Sequence, residues 1–172
     1  MLLTTQQKYL LAALRKLGGA RKDQLVVLFR PVFCARKPDS ADWIAGTALH
    51  RLQCTNQLRE SEGVYYLTNA PPDDVLEAID VMLDLSQAKP LDFQRGEAPA
   101  LLRFSVQEQK VRRFVVARHG VDSEDLRLGA HERVILLFDG QGKGQPLPVS
   151  NKQFYAVRQE GGTHRYYAVN AQ

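Results

Sequence analysis

The spacing of apolar residues changes along the chain, and this change constrains the fold more than any other feature. Before residue 55, apolar side chains recur every three or four positions, which is the period of an amphipathic helix. The first such stripe comprises Leu10, Ala13, Leu14 and Leu17. After residue 100, apolar and polar residues alternate, which is the period of a β-strand. The two periods together predict an α+β protein in which helices precede a sheet.

Capping and helix-breaking residues divide the first part of this pattern. Thr4 and Gln7 match a capping box, in which each side chain accepts a hydrogen bond from the other residue's backbone N–H. The glycine pair at 18–19 predicts the end of this first helix, because glycine readily adopts the left-handed conformation after a C-cap. A second helix is expected over 21–29, with Pro31 either stopping it or following its end.

A third helix is expected after a basic connection at 30–39. Asp39 or Ser40 would provide its N-cap, and the apolar spacing continues to about Cys54. Trp43 is expected to pack at the start of this helix.

The next segment predicts a β-hairpin, with strands at 57–60 and 64–68 and a positive φ at Gly63. Three helices followed by a hairpin, over 4–68, is the element order of a winged helix-turn-helix domain. In that fold the third helix enters the DNA major groove and the hairpin reaches the flanking backbone. Candidate DNA contacts are the cationic or polar residues expected to face outward: Arg21, Lys22, Arg36, Lys37, Thr47, His50, Arg51 and Arg59.

Four runs carry a resemblance to a known family: Trp43-Ile44, Leu49-His50-Arg51-Leu52, Asn56-Gln57-Leu58 and Gly63-Val64-Tyr65-Tyr66-Leu67. Together they look like the recognition-helix-plus-wing segment of bacterial winged-helix proteins. With a small α/β unit behind it, the chain is similar to the replication-relaxation proteins of plasmids and integrative elements. This resemblance implies a non-catalytic protein that binds double-stranded DNA without a cofactor, as a regulator or a replication or relaxation accessory factor of a mobile element.

Two features of the segment depart from the winged-helix pattern. The connection before the third helix has about ten residues, whereas a standard helix-turn-helix has three or four. This loop either faces DNA or blocks docking. Asp39 and Asp42 lie at the entry of the third helix, where DNA phosphates would repel them. Because a fold does not define a function, a winged-helix module that binds a protein is a second interpretation.

The rest of the chain predicts one more helix and a sheet. An amphipathic helix is expected over 71–87, and a linker over 88–99. Asp73, Asp74 and Glu77 are expected near the first turn, where they complement the helix dipole, and the remaining acids on a solvated face. One helical turn is expected at 122–129. The glycine pair at 161–162 predicts the turn of a final hairpin. The expected strands are 102–107, 111–118, 133–139, 154–160 and 163–169, of which 133–139 is apolar on both faces.

The charge distribution divides the chain into three parts. The net charges are +5 over 1–70 (ten Lys/Arg, five Asp/Glu), −5 over 71–92 (one Lys, six Asp/Glu) and +4 over 93–172 (twelve Lys/Arg, eight Asp/Glu). We therefore expect a winged helix, an acidic linker helix, and a small mixed or antiparallel sheet domain that would form a homodimer or bind a partner. The basic ends favour a polyanionic partner.

The resemblance also implies a chemistry for 93–172, because this part of the replication-relaxation proteins looks like a restriction-endonuclease core, often degenerate. Asp92, Glu108 and Lys110 can be aligned with the nuclease pattern, in which two carboxylates hold Mg²⁺ and a lysine orients the attacking water. Glu108 and Lys110 fall in a predicted turn, whereas a working site needs rigidly held groups. A divalent-metal nuclease is the third interpretation, and no catalytic residue is assigned.

The remaining reactive residues have structural explanations. Cys34, His50 and Cys54 make only three of the four ligands of a structural zinc site, so no metal is expected. The glycine-rich segment 140–144 lacks the Gly-Lys-Ser/Thr ending of a phosphate loop. His119, His131 and His164 have no Ser or Cys partner at a recognisable elbow. Cross-strand packing is the expected role of four aromatic residues: Phe154, Tyr155, Tyr166 and Tyr167.

The location of the protein is also predicted. The longest aliphatic run, 25–29, has five residues, far fewer than a membrane span needs. No secretory signal is recognised at 1–7, and two cysteines cannot make a disulfide framework. We expect a cytoplasmic protein without membrane contact.

Overall fold

The computed structural model describes residues 2–140 and 144–169, and these form four α-helices and two β-sheets, which confirms the α+β class. The helices are α1 (Thr5–Leu17), α2 (Lys22–Phe33), α3 (Ala41–Cys54) and α4 (Asp73–Leu85). The strands are β1 (Gly19–Arg21), β2 (Arg59–Ser61), β3 (Val64–Tyr66), β4 (Asp92–Arg95), β5 (Ala100–Gln107), β6 (Val111–Arg118), β7 (Glu132–Phe138), β8 (Gln153–Arg158) and β9 (His164–Ala168).

Both ends of α1 form as the sequence predicts. The Gln7 backbone N–H donates to Thr4 Oγ1 at 3.2 Å, and the Thr4 N–H donates to Gln7 Oε1 at 2.9 Å, which completes the capping box. Gly18 follows the last turn with φ +80°, and its N–H donates to the Leu14 carbonyl. These local signals therefore suffice to define the first helix.

A small sheet with the order β1-β3-β2 joins the first three helices, and the predicted hairpin, β2–β3, supplies two of its strands. The third strand, β1, was not predicted, because three residues are too few to show an alternating pattern. Its first residue pairs with Tyr66. A Cβ on Gly19 would lie 2.5 Å from Pro71 Cδ, so the close approach of the chain after β3 requires glycine there.

The prediction that the second helix ends before Pro31 is wrong, because α2 continues through Pro31 to Phe33. Aromatic packing accounts for the extra turn: the Phe33 ring stacks on Phe29 at 4.6 Å and meets Tyr9 of α1 edge-on at 5.3 Å. The Cys34 N–H then donates to the Arg30 carbonyl at 2.9 Å, which closes the helix.

The third helix differs from its prediction at its start. A short 3₁₀ turn, Pro38–Ser40, precedes it, and Ser40 Oγ donates to the Lys37 carbonyl instead of capping α3. Trp43 does not pack against the core, since 73% of it is exposed. The buried side of α3 is instead formed by small and aliphatic residues: Ala41, Ala45, Ala48, Leu49 and Leu52.

The fourth helix lies between the first three helices and the larger sheet. Val75, Ile79, Met82 and Leu83, on its apolar face, are all buried. They belong to one hydrophobic cluster that contains side chains of α1–α3 and of the larger sheet. The predicted linker at 88–99 is also partly wrong, because β4 pairs with β5 within it. The helix predicted as a linker is thus a central element of the shared core.

The larger sheet is mixed, with the order β4-β5-β6-β7-β8-β9. The two central pairs, β6–β7 and β7–β8, are parallel, and the outer pairs are antiparallel. The central strand β7 is buried on both faces, as its sequence predicts. α4 covers one face, and Leu126 and Leu147, from the connections that flank β7, cover the other. The helical turn predicted at 122–129 does not form, and a non-helical turn occupies 123–126 instead.

The protein has two halves, α1–α3 with the small sheet, and the larger sheet, and Ile79 is fully buried between them. We therefore predict that Ile79→Ala lowers the free energy of unfolding by about 2–5 kcal/mol. Urea unfolding followed by circular dichroism measures this change. The matched control is Val32→Ala on α2, where the side chain is 55% exposed and the expected change is below about 0.5 kcal/mol. Equal effects of the two variants would contradict the central position of α4.

Candidate nucleic-acid interface

The outer face of α3 is open to solvent along its length. Trp43, Thr47, His50 and Cys54 follow one another at intervals of three or four residues and therefore share this face. Thr47 Oγ1 donates to the Trp43 carbonyl at 2.8 Å, and His50 Nε2 lies 3.5 Å from Cys54 Sγ. Two predicted DNA contacts, Thr47 and His50, thus lie on a surface that the described part of the protein leaves accessible.

Cationic residues lie on α3 and in the segments next to it along the chain. Arg36 and Lys37 precede α3, Arg51 lies on it, and Arg59 begins the hairpin, and all four side chains are exposed. Within residues 2–140 and 144–169, none of the four takes part in an ion pair. These four positions were all predicted from the sequence, and each is free to meet a phosphate.

Lys22 and Arg21 differ from these four because each already has an acidic partner. Lys22 Nζ lies 3.3 Å from an Asp42 carboxylate oxygen, so it neutralises an acid at the start of α3. Arg21 Nη2 lies 2.7 Å from Asp80 of α4, and its Nε lies 3.1 Å from Asp23. Burial alone would lower the pKa of Arg21, but the hydrogen bonds and charges of these two acids outweigh it and raise that pKa.

The prediction that Arg21 contacts DNA is therefore not supported by its environment. Asp80 also accepts a hydrogen bond from Gln24 Nε2 at 2.7 Å, and the same nitrogen donates to the Leu76 carbonyl. This network fastens the start of α2 to α4. A sequence shows that Arg21 is cationic, but it does not show that an acid 59 positions later lies beside it.

Anionic residues also lie near the candidate interface. Asp39 and Asp42 are exposed at the start of α3, as are Glu60 and Glu62 in the hairpin. Glu60 Oε1 accepts a hydrogen bond from the Gly63 N–H at 2.6 Å, which stabilises the hairpin turn. The surface therefore has a mixed charge, with its unpaired cations in the connection before α3, on α3 and at the hairpin base.

A shallow groove of about 190 Å³ separates the start of α1 from α3. Trp43, Thr47 and Arg51 line its α3 side, and Thr4 and Gln6 line its α1 side. Aromatic, hydroxyl and guanidinium groups thus meet along one edge of α3.

The acids of α4 make contacts that the sequence did not predict, and Asp80, which was predicted to lie on a solvated face, is only partly exposed. Asp74 Oδ2 lies 2.7 Å from Arg118 Nε, and Glu77 Oε1 lies 3.0 Å from His164 Nε2. Asp84 accepts a hydrogen bond from the Tyr166 hydroxyl at 2.8 Å. With the Asp80 contacts, these bonds attach α4 to both halves. Their partners are far away in sequence, so the acidic run alone could not reveal them.

The residues of the alternative nuclease site are not assembled into a metal site. Asp92 Oδ1 lies 2.8 Å from Lys16 Nζ. Glu108 and Lys110 lie in the turn between β5 and β6, and Glu108 Oε2 lies 2.8 Å from Nη1 of Arg112 on β6. The hydrogen bond from Lys16 lowers the pKa of Asp92, against a smaller opposing effect of burial. Among the described residues, no group of three His, Cys, Asp or Glu side chains could hold a metal ion.

A larger cavity of about 450 Å³ lies at the carboxyl ends of the parallel strands, and the sequence did not predict it. It is lined by Asp74, Arg118, His119, Phe138 and Arg158, among others. Asp74 Oδ2 and Arg118 are paired with each other. His119 Nε2 accepts a hydrogen bond from the Gln145 N–H at 3.0 Å, and its ring packs edge-on against Phe138.

Two further sequence features can be compared with the structure. Tyr155 and Tyr167 are register partners across β8 and β9, but the recorded ring contacts of Tyr155 are with His119 and Phe138 instead of with Tyr167. In the glycine-rich segment 140–144, residues 141–143 lie outside the described residues. Cys34 is buried, whereas Cys54 is exposed on α3.

Comparisons with protein-family models, with curated proteins and with solved structures find no match. Over the described ranges, no helix is both long and apolar enough to cross a membrane. The function must therefore be inferred from the geometry itself.

The Tyr166–Asp84 bond gives a testable pH dependence. Burial, followed by the hydrogen bond and charge of Asp84, raises the pKa of Tyr166 far above its ordinary value of about 10. The proton is thus retained in the folded state and released from the unfolded chain at high pH. The stabilisation is complete below about pH 10 and declines as the pH rises further.

We expect Tyr166→Phe to be less stable than the natural protein at about pH 8, by about 1 kcal/mol, and the difference to shrink at about pH 11. Urea midpoints at the two pH values measure this. Tyr167→Phe, at an exposed position on the same strand, is the matched control and should follow the natural protein at both values. A constant difference between Tyr166→Phe and the natural protein would show that Tyr166 does not titrate in this way.

Proposed function

We propose that this protein binds double-stranded DNA without catalysis, with α3 in the major groove and the β2–β3 hairpin against the flanking backbone. The observation that carries this proposal is the open outer face of α3 together with four exposed cations, on α3 or in the segments next to it along the chain, that have no ion-pair partner among the described residues: Arg36, Lys37, Arg51 and Arg59. Positively charged side chains on a duplex release condensed counterions, which is the main source of non-specific affinity.

The element order supports a winged helix. The chain runs α1, β1, α2, α3, β2, β3, and β1 completes a three-stranded antiparallel sheet with the hairpin. This sheet attaches the hairpin to the start of α2, because β1 ends at Arg21 and α2 begins at Lys22. The hairpin is therefore held beside the helices, as a wing must be to contact the backbone next to the groove.

The long connection before α3 fits the role of a basic loop that faces DNA. α2 extends to Phe33 and the 3₁₀ turn begins at Pro38, so only 34–37 lack helical structure. Arg36 and Lys37 lie in this short stretch, directly before the turn that leads into α3. Asp42, the acid that would repel a phosphate most directly at the start of α3, is paired with Lys22.

The biological role in this proposal comes from the resemblance to proteins of plasmids and integrative elements. The protein would act there as a regulator or accessory factor. The larger sheet would join two copies or bind a protein partner. The nuclease alternative has less support, because Asp92 and Glu108 are each paired with a different cation instead of sharing a metal site.

Fluorescence anisotropy with labelled random-sequence duplexes, over a series of salt concentrations, tests the proposal. We expect affinity to fall steeply with salt, with a log–log slope of about −0.9 for each phosphate contacted. Each of Lys37→Ala and Arg51→Ala should weaken binding and reduce the slope by about 1.

Arg165→Ala is the matched control, because this residue is exposed on β9, far along the chain from the proposed interface. It should leave both affinity and slope unchanged. Absence of binding to any duplex at low salt would overturn the proposal, and so would equal losses in Arg51→Ala and Arg165→Ala.

A further inference from the structure

The only tryptophan of the chain is exposed on the face that the proposed function presents to DNA. Trp43 is the third residue of α3, and 73% of it is accessible to solvent. A large aromatic side chain left in water gives up the free energy that its burial would release. Recognition helices contact base edges mainly through their N-terminal residues, and Trp43 occupies that part of α3.

The neighbours of Trp43 on the outer face are polar. Thr47 and His50 continue the same line of residues, and Arg51 lies beside them. These side chains can donate or accept hydrogen bonds at base edges or at phosphates. The indole is the one large apolar surface in this set. Its burial on binding would therefore require an apolar group on the ligand.

The major groove offers one such feature. Donor and acceptor groups form most of the base edges there, and the C5-methyl group of thymine is the apolar exception. An indole at the start of α3 would lose its water-exposed area by packing against one or more of these methyl groups. Arg51 lines the protein groove between α1 and α3 together with Trp43. It can therefore hold a backbone phosphate while the indole contacts the bases.

We propose that Trp43 is a specificity-determining residue that selects thymine-containing sites by packing its indole against thymine methyl groups in the major groove. This inference rests on the proposed function, since it requires α3 to dock on a duplex. It names a base and a chemical group, which the cationic surface alone cannot do, because phosphate contacts carry no sequence information.

The test compares DNA with and without the methyl group. A duplex pool enriched for binding from a random library is amplified once with thymidine triphosphate and once with deoxyuridine triphosphate. Uracil keeps every hydrogen-bonding group of thymine and lacks only the methyl. We expect the natural protein to bind the uracil pool about fourfold more weakly for each methyl group that the indole buries.

The Trp43→Ala variant should bind both pools equally, with an affinity close to that of the natural protein for the uracil pool. Tyr167→Ala removes another exposed aromatic side chain, from β9, and should keep the preference for thymine. Circular dichroism verifies that each variant is folded. If Trp43→Ala does not fold, the fluorescence of the natural protein with the two pools still tests the role of the indole itself.

Fluorescence provides a second measurement on the unaltered protein, because Trp43 is the only indole. In the free protein we expect red-shifted emission that acrylamide quenches readily. Binding to the thymine pool should shift the emission to the blue and protect the indole from acrylamide, and the uracil pool at equal occupancy should do so less.

Equal affinity of the natural protein for the two pools, with the salt dependence intact, would overturn the role of Trp43 and leave the proposed function standing. Absence of duplex binding would overturn both. A blue shift that grows with protein concentration in the absence of DNA would show that a second copy of the chain covers Trp43, and this also overturns the inference.

Discussion

The burial of α4 is the constraint on which the rest of the structure depends. Ala78, Ile79, Val81 and Met82 are fully buried, and the core to which they belong contains side chains of the first three helices and of the larger sheet. Neither half could remove this helix from water alone and keep the same core. Because packing leaves Asp74, Glu77 and Asp80 only partly exposed beside the two halves, these carboxylates need partners there.

Those partners explain how the uneven charge of the sequence is resolved in three dimensions. The acidic segment 71–92 receives Arg21 from the start of α2 and Arg118 and His164 from the larger sheet. The two arginines that meet α4, Arg21 and Arg118, are thereby paired within the protein. Among the described residues, the cations near α3 that have no ion-pair partner are ones that α4 does not reach. By pairing with some cations, the helix that joins the two halves therefore also limits which positive charges remain available to a ligand.

Local signals in the sequence predicted the elements well, and distant contacts account for the differences. The capping box of α1 and the turn at Gly63 depend on residues within a few positions, so they could be identified directly. Pro31 was expected to end α2, but rings of Tyr9 and Phe33 hold one more turn in place. β1 could not be predicted from the sequence, because these three residues form a strand only by pairing with β3. The cationic residues around α3 were all identified, whereas the engagement of Arg21 depends on a partner on α4.

The position of Trp43 follows from the way α3 packs. The buried side of α3 contains three alanines, Ala41, Ala45 and Ala48, so its backbone approaches the neighbouring helices closely and leaves no space for an indole there. Helical spacing then assigns Trp43 to the opposite side, in line with Thr47 and His50. A residue with no structural need to be aromatic at an exposed position would be expected to be polar, because a polar side chain avoids the cost of exposing an indole. The packing of α3 therefore explains why Trp43 is outside, and the proposed contact with an apolar group of a ligand would account for a tryptophan at this position.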